Sequence, residues 1–139
     1  MTVPKNFLFI PNLAFILGPM DKINLAEKLA LFSSHWDPKI VAELNGQHVK
    51  LVKFRGEFVW HHHEHEDELF LVLRGSFRMQ LRDREVPLRE GELFVVPRGV
   101  EHRPVADEEV CVLLFEPAST LNTGNAAGSD KTVVRPGWI

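Results

Sequence analysis

The sequence predicts an all-β fold, a sandwich or a barrel, with one short helix near its start. Beyond Pro38 the chain consists mainly of short runs rich in β-branched and aromatic residues, separated at close spacing by glycine and proline. One run, SFRMQL at residues 76–81, alternates strictly between apolar and polar side chains, which is the period of a half-buried strand. The chain has 139 residues and no visible repeat of 20–50 residues, so we expect one domain.

The helix is predicted at about residues 24–32. Asn24 and Glu27 occupy the N-cap and N3 positions of a near capping box, in which asparagine replaces serine or threonine. Apolar residues follow at helical spacing, at Leu25, Leu29 and Phe32. Pro38 would end any continuation of this helix.

Eight strands are predicted after the helix. In chain order they are IVAEL (40–44), HVKLVKF (48–54), EFVWHHH (57–63), ELFLVL (68–73), SFRMQL (76–81), a short run at residues 86–88, ELFVVP (92–97) and EVCVLLFEP (109–117). Residues 122–130 are rich in glycine, asparagine, alanine and serine, which predicts a loop. We expect Trp138, in the tail beyond that loop, to pack back on the domain.

Charge and cysteine content limit the partners and the compartment. The formal net charge is −3, so no basic field attracts nucleic acid or an anionic membrane surface. The single cysteine, Cys111, cannot form a disulfide within the chain and lies in an apolar run, where we expect a buried thiol. These features fit the cytoplasm, with no nucleic-acid partner and no membrane partner.

The first 19 residues stand apart from the rest. The apolar run at residues 7–17 is interrupted by Pro11 and is too short to span a bilayer. Met20 then opens a sequence that resembles a natural start. We expect residues 1–19 to be a poorly ordered extension; an ordered tail that packs on a partner and a targeting segment are the alternatives.

The run WHHHEHEDELF at residues 60–70 holds four of the seven histidines. Alternate side chains of a strand share a face, so His61 and His63 are expected to point the same way. Two imidazoles at this spacing can converge on one metal ion. Glu68 follows an acidic turn and can bring a carboxylate to the same ion. His102, after a strand and a Pro-x-Gly turn, becomes the fourth ligand if its strand pairs beside the first.

Three histidines and one glutamate predict a site for one divalent transition metal ion per chain: iron, manganese, nickel or zinc. A six-coordinate ion would keep two positions for water or a substrate. The competing hypothesis is a metal-free pocket or a solvated histidine surface. No catalytic residue beyond the ligands and no organic cofactor site is assigned.

Two motifs in this sequence resemble those of small single-domain cupins. The first is supplied by Gly56, His61, His63, Glu68 and Gly75, with four instead of five residues between Gly56 and His61. The second is supplied in the family's order and spacing by Gly91, Pro97, Gly99 and His102, with Ala106 where the family often has asparagine. Two spaced motifs are specific for a fold and much less so for a function.

The resemblance implies a cupin double-stranded β-helix, a jelly-roll barrel that is commonly a homodimer and holds its metal inside. The expected organisation is an extension at 1–19, a short helix and lead-in strand at 20–45, a barrel core at 46–117, and a C-terminal loop and tail packed on the barrel at 118–139. The expected ligands of the metal are His61, His63, Glu68 and His102.

Three functions remain open at this point. The first is a metal-dependent enzyme that acts on an unidentified small molecule by dioxygenase or isomerase chemistry. The second is a barrel that binds or senses a small molecule without turnover. The third is a structural dimer with a relic site. No helix pair for DNA binding precedes the barrel, so a transcription factor is not favoured.

Residues beside the ligands have several possible roles. His65 could replace His63 or Glu68, shuttle protons, or be exposed. We expect His62, with Phe58 and Trp60, to lie on the face opposite the metal. Arg98 and Arg103 could hold a substrate carboxylate or form surface salt bridges.

Overall fold

The computed structural model describes residues 20–139, and the expected extension at residues 1–19 lies outside this described part. The described part contains eight strands and one short helix. In chain order they are α1 (Leu25–Leu29), β1 (Lys39–Leu44), β2 (Gln47–Glu57), β3 (Glu68–Arg74), β4 (Ser76–Leu81), β5 (Glu85–Arg89), β6 (Leu93–Val96), β7 (His102–Pro117) and β8 (Gly137–Trp138). A 3-10 turn lies at Gly124–Ala126. None of the described helices is long and apolar enough to cross a membrane.

The longest strand, β7, connects the sheet. Its first residues pair with β4, and its later residues pair with β3 on one edge and with β2 on the other. The remaining strands extend from these partners: β5 from β4, β6 from β3, and β1 and then β8 from β2. Because one bent strand joins all these neighbours, the sheet closes over a common interior. The predicted all-β jelly-roll barrel with one short helix is confirmed.

Alternate residues of the strands fill the barrel. In β4, Phe77 and Met79 are buried and Arg78 is on the other face, as the alternation of SFRMQL predicts. The rest of this interior comes from the inward positions of neighbouring strands, among them Val52, Phe54, Phe70, Val72, Val110, Val112 and Leu114. Such alternation is the sequence signal of strands with one face in a core.

The helix is shorter than the sequence suggests, and it covers the outside of the barrel. Its predicted cap is confirmed, since the backbone N–H of Glu27 donates to Asn24 Oδ1 at 3.0 Å. It ends at Leu29 instead of residue 32. Beyond the helix, the carbonyl of Phe32 accepts a hydrogen bond from Lys53 Nζ at 2.7 Å. The chain then turns so that Trp36 stacks on Phe54, with ring centroids 4.5 Å apart.

Two predicted strand boundaries are wrong. Residues 58–63 do not form a strand: β2 ends at Glu57, and His61 makes only an isolated bridge to His102. Conversely, β7 begins at His102 and not at residue 109. Pro104 and three exposed acidic residues at 107–109 conceal this strand in the sequence. The Pro104 carbonyl accepts from the Phe58 N–H at 3.0 Å, just beyond the end of β2. Proline has no N–H to donate to a neighbouring strand, so its presence lowers the expectation of a strand in the sequence.

The outer face of the barrel carries two apolar rows that run across four strands. Strand register aligns Val95 with Leu69, Phe115 and Val49 in one row, and Leu93 with Leu71, Leu113 and Leu51 in the other. At one end Leu51 is fully buried in a cluster with Leu29 of α1. At the other end Leu93 and Val95 are 56% and 47% exposed.

Replacing Leu51 with alanine should lower the free energy of unfolding by about 2–5 kcal/mol, because Leu51 is fully buried beneath α1. Urea denaturation monitored by circular dichroism would measure this change. Leu31→Ala is the matched control, since Leu31 is 64% exposed and should cost within about 0.5 kcal/mol. Equal effects of the two substitutions would contradict the packing of α1 on the sheet.

Candidate metal centre

Four buried side chains converge at one end of the barrel interior. They are His61, His63, Glu68 and His102, each no more than 5% exposed. One candidate donor atom from each lies within 4.8 Å of the others. The structure therefore brings together all four residues that the sequence singled out.

A short backbone bridge positions two of these histidines. The N–H of His61 donates to the carbonyl of His102 at 3.2 Å, and the N–H of His102 donates to the carbonyl of His61 at 2.9 Å. Residues directly opposite each other in an antiparallel pair have their side chains on the same face. The two imidazole rings consequently lie side by side, with centroids 4.2 Å apart.

A regular strand positions Glu68, and a backbone hydrogen bond to a turn positions His63. Glu68 is the first residue of β3, and its side chain points inward like those of Phe70 and Val72. The carbonyl of His63 accepts from the N–H of Gly99 at 2.7 Å. This contact joins the histidine-rich segment to the turn that precedes His102, so the two sequence motifs meet through backbone hydrogen bonds.

Backbone carbonyls orient two of the rings. His61 Nδ1 donates to the Val59 carbonyl at 2.9 Å, and His102 Nδ1 donates to the Val100 carbonyl at 2.8 Å. A carbonyl oxygen only accepts, so both Nδ1 atoms carry a proton. The Nε2 atoms are then the ones available to a metal ion, which is the usual arrangement of metal-binding histidines.

The acid–base state of the cluster suits metal binding. Burial alone would raise the pKa of the Glu68 carboxyl, but its close contacts with the imidazoles of His102 and His63 hold that pKa well below its usual range. Burial and then the neighbouring His102 lower the pKa of His61 to about 4. Metal ligands must be ionised carboxylates and neutral imidazoles, and these shifts favour those forms at neutral pH.

One ligand atom lacks a satisfying partner. His63 Nε2 lies 2.7 Å from Glu68 Oε1, but the contact is not aligned as a hydrogen bond, and this atom has no other partner within residues 20–139. A buried polar atom without a partner is unfavourable, and coordination to an ion would satisfy it. The residues therefore fit a divalent ion of the iron, manganese, nickel or zinc type, since the donors are imidazole nitrogens and one carboxylate.

An aromatic cavity adjoins the cluster. Its walls include Trp36, Phe54, Phe58 and Phe70, together with His61, Glu68, Glu116 and Asn122. The cavity volume is about 40 Å³, which is room for about three water molecules.

The expectation for Phe58 is wrong. This residue does not share an outer face with Trp60; it contacts His61 edge-on, with ring centroids 5.2 Å apart, and lines the cavity. It faces inward because its segment leaves the sheet after β2.

A buried ion pair near the cluster was missed by sequence reasoning. Lys50 Nζ lies 2.8 Å from Glu116 Oε1, and both side chains are 1% exposed. Burial and the nearby Glu68 raise the pKa of Glu116 well above its usual range. The signal was present in the strand alternation, because Lys50 shares its face with the inward Val52, and Glu116 shares its face with the inward Leu114.

The other candidate residues lie outside this interior. The His65 side chain is 88% exposed and is not among the converging donors. Arg98 pairs with Asp67, with its backbone N–H donating to Asp67 Oδ1 at 2.8 Å. Arg103 bonds Gln80 and lies near the Trp60 ring. Neither arginine lines the cavity.

The C-terminal loop closes against the histidine segment. Asn125 exchanges two hydrogen bonds with the backbone of His62, at 2.8 and 3.1 Å. Beside it Gly124 has a φ of +50°, and a Cβ at this position would lie 2.2 Å from the His62 carbonyl oxygen and 3.1 Å from His63 Nδ1. Only glycine fits this contact.

Comparison with known proteins agrees with the fold and the motifs. A family model described as "Cupin domain" matches residues 48–115. The solved structure of a cupin-2 domain containing protein from Shewanella frigidimarina is 46% identical, with a TM-score of 0.68, and the alignment covers 68% of this chain and 93% of that one. The chain belongs to the cupin family.

Two curated relatives match over shorter stretches. The protein YdbB of Bacillus subtilis, described as uncharacterized, is 39% identical over 64 residues, which cover 45% of this chain and 57% of that protein. The 3-hydroxyanthranilate 3,4-dioxygenase of Brucella anthropi is 32% identical over 65 residues, which cover 42% of this chain and 36% of that protein. The chain thus spans about half of the first relative and about a third of the second.

Replacing Gly124 with alanine should destabilise the protein and displace the His62–His63 peptide, because the added Cβ meets the His62 carbonyl. Gly128→Ala is the matched control: Gly128 also has a positive φ, of +95°, but a Cβ there meets nothing within 4 Å. The control should cost about 1–2 kcal/mol of backbone strain, and Gly124→Ala clearly more. Thermal unfolding of both variants would test this, and equal losses would contradict the close approach.

Proposed function

We propose that this chain is a metal-dependent cupin in which His61, His63, Glu68 and His102 hold one divalent transition metal ion. The observation that carries the proposal is the convergence of four buried donors. The rings of two of them, His61 and His102, are oriented by backbone carbonyls that bind Nδ1. A metal-free core would have no use for a carboxylate surrounded by three imidazoles, since buried polar groups destabilise a fold unless they are paired.

The proposed ion supplies the capacity to polarise a bound oxygen group or to take part in oxygen chemistry. The protein's own residues do the remaining work. Three imidazoles and Glu68 fix the ion, and a six-coordinate ion would keep two positions for other ligands. The aromatic side chains of Phe54, Phe58 and Phe70 line the cavity beside this centre. Polar interactions among the buried ligands are stronger than they would be in solvent.

We propose that the substrate is a small molecule and that the reaction is of the dioxygenase or isomerase type. The 32% identity to a protein named as a dioxygenase supports the first of these. The cavity beside His61 and Glu68 supports a small ligand. A barrel that binds or senses such a molecule without turnover is the alternative. Oxygen uptake or substrate conversion by the metal-loaded protein separates the two, because a sensor would bind its ligand and leave it unchanged.

Replacing His61 or His102 with alanine should remove most of the bound metal while leaving a folded barrel, because each substitution deletes one of four ligands. Elemental mass spectrometry on untagged protein, purified without chelator or metal resin, would measure the metal content. His65→Ala is the matched control, since this histidine is exposed and outside the cluster. Full metal occupancy in both ligand variants would show that the ligand assignment is wrong.

We also propose a cytoplasmic homodimer. The buried state of Cys111, whose pKa burial raises, is compatible with a reducing compartment. The exposed end of the apolar rows, at Leu93 and Val95, is where we place the second copy. A contiguous apolar face on a sheet is typical of an interface, whereas single exposed apolar residues are common on any surface.

The double variant Leu93→Lys/Val95→Lys should dissociate this dimer, because each subunit would bring two ammonium groups into an apolar interface. Sedimentation velocity gives the oligomeric state directly. Val134→Lys is the control, since Val134 is 75% exposed and outside the rows. A monomeric wild-type chain, or a dimer that survives the double substitution, would rule out this interface.

A further inference from the structure

A buried ammonium group and a buried carboxyl group adjoin the proposed metal ligand Glu68. Lys50 Nζ lies 2.8 Å from Glu116 Oε1, and both side chains are 1% exposed. The Glu116 carboxyl is in turn hydrogen-bonded to the Glu68 carboxyl. Glu68 Oε1 lies 3.1 Å from His102 Nε2. The side chains of Lys50, Glu116 and Glu68 therefore form a continuous polar chain that ends in the histidine cluster.

Strand pairing builds this chain of polar groups. Strands β3 and β7 run antiparallel with Leu69 opposite Phe115, so the next pair along the ladder is Glu68 and Glu116. Both of these side chains are buried, and both line the cavity. Cross-strand neighbours on one face of a sheet are close enough to interact directly. Lys50 reaches the same place from β2, the strand on the other edge of β7.

The stability of the barrel does not account for this ion pair. Buried ion pairs are often neutral or destabilising compared with apolar residues of similar size, because both charges lose their hydration. Side chains that bind metal ions, in contrast, are generally held in place by hydrogen bonds to a further layer of groups. Backbone carbonyls have this role for His61 and His102. The Lys50–Glu116 pair is placed to have the same role for Glu68.

We propose that Glu116, held by Lys50, is the positioning residue for the metal ligand Glu68. Lys50 fixes one oxygen of the Glu116 carboxyl, and that carboxyl fixes the direction in which Glu68 presents its oxygens to the imidazoles. The assignment rests on the proposed function, since Glu68 needs this support as a ligand only if an ion binds there. Two hydrogen-bonded carboxyl groups share one proton, and the contact orients Glu68 whichever group carries it.

Two double variants test the contact without leaving one charge buried alone. The leucine variant, Lys50→Met/Glu116→Leu, removes both charges and the contact with Glu68. The glutamine variant, Lys50→Met/Glu116→Gln, removes the same charges but retains an amide N–H that donates to Glu68. Calorimetric titration of the metal-free proteins with Co²⁺ gives the affinity of each one.

The two variants should differ in their affinity for the ion. We expect the leucine variant to bind Co²⁺ about 10–100-fold more weakly than the wild-type protein, which is the usual effect of removing a group that supports a metal ligand. The glutamine variant should bind at least about tenfold more tightly than the leucine variant, because a buried hydrogen bond to a charged group is restored.

Stability is the readout that separates positioning from packing. Urea denaturation of the metal-free proteins should rank the two variants in the opposite order, because the glutamine variant buries an amide oxygen that has lost its partner Lys50. A residue that only packs would change affinity and stability in the same direction. Val112→Ala is the control, since Val112 is fully buried in β7 but is outside the cluster and the described cavity lining. It should lower stability and leave the affinity for Co²⁺ unchanged.

The visible absorption spectrum of bound Co²⁺ reports the coordination of the ion. Glu68→Ala, at saturating Co²⁺, gives the spectrum of a centre that lacks this ligand. The spectrum of the leucine variant should shift towards that of Glu68→Ala, and the spectrum of the glutamine variant should remain like that of the wild-type protein.

The results distinguish the positioning role from the metal centre itself. Equal affinities of the two double variants, or a leucine variant with wild-type affinity and spectrum, would overturn the role of Glu116 and leave the metal centre standing. Failure of the folded wild-type protein to bind Co²⁺ would overturn the proposed metal centre, and the positioning role with it.

Discussion

The two-way hydrogen bond between the backbones of His61 and His102 is the constraint on which the site depends. It joins an irregular segment to the first residue of the longest strand and places two imidazoles side by side. The same strand pairs with β2, β3 and β4, so its position is determined by most of the barrel. Because their backbones are held in this way, the side chains of His61 and His102 need no large movement to meet a ligand. Rigid scaffolds generally position binding groups by such constraints.

The interior of the barrel is divided into an apolar part and a polar part. Residues such as Val72, Met79 and Val112 fill the first with close-packed side chains. The second contains Glu68, Glu116 and Lys50, together with the three histidines. Ionisable groups are rarely buried in this number, because each one loses its hydration. Their concentration beside one cavity is therefore the signature of a functional site, in agreement with the shifted pKa values of His61, Glu68 and Glu116.

The contacts of the outer loops protect this polar end. Asn125 and Gly124 hold the His62–His63 peptide from one side, and Gly99 holds the His63 carbonyl from the other. On the opposite side of the sheet, α1 covers one end of the apolar rows. The rest of that face is the surface that we propose for a second copy, while Arg98 and Asp67 satisfy each other elsewhere. The proposed metal centre and the proposed subunit contact therefore lie on different faces of one sheet.

The sequence by itself determined the fold class, the two cupin motifs and the four clustered residues, because strand periodicity and motif spacing are local properties. It also indicated the helix cap at Asn24. It failed where distant partners decide. The start of β7, with Pro104 and the acidic residues 107–109, is a strand because it pairs with β2 and β4, and residues 58–63 leave the sheet although they are rich in strand-forming residues. Only the tertiary structure turned Phe58 towards the cavity and paired Lys50 with Glu116, because both of these depend on segments that are far apart in the chain.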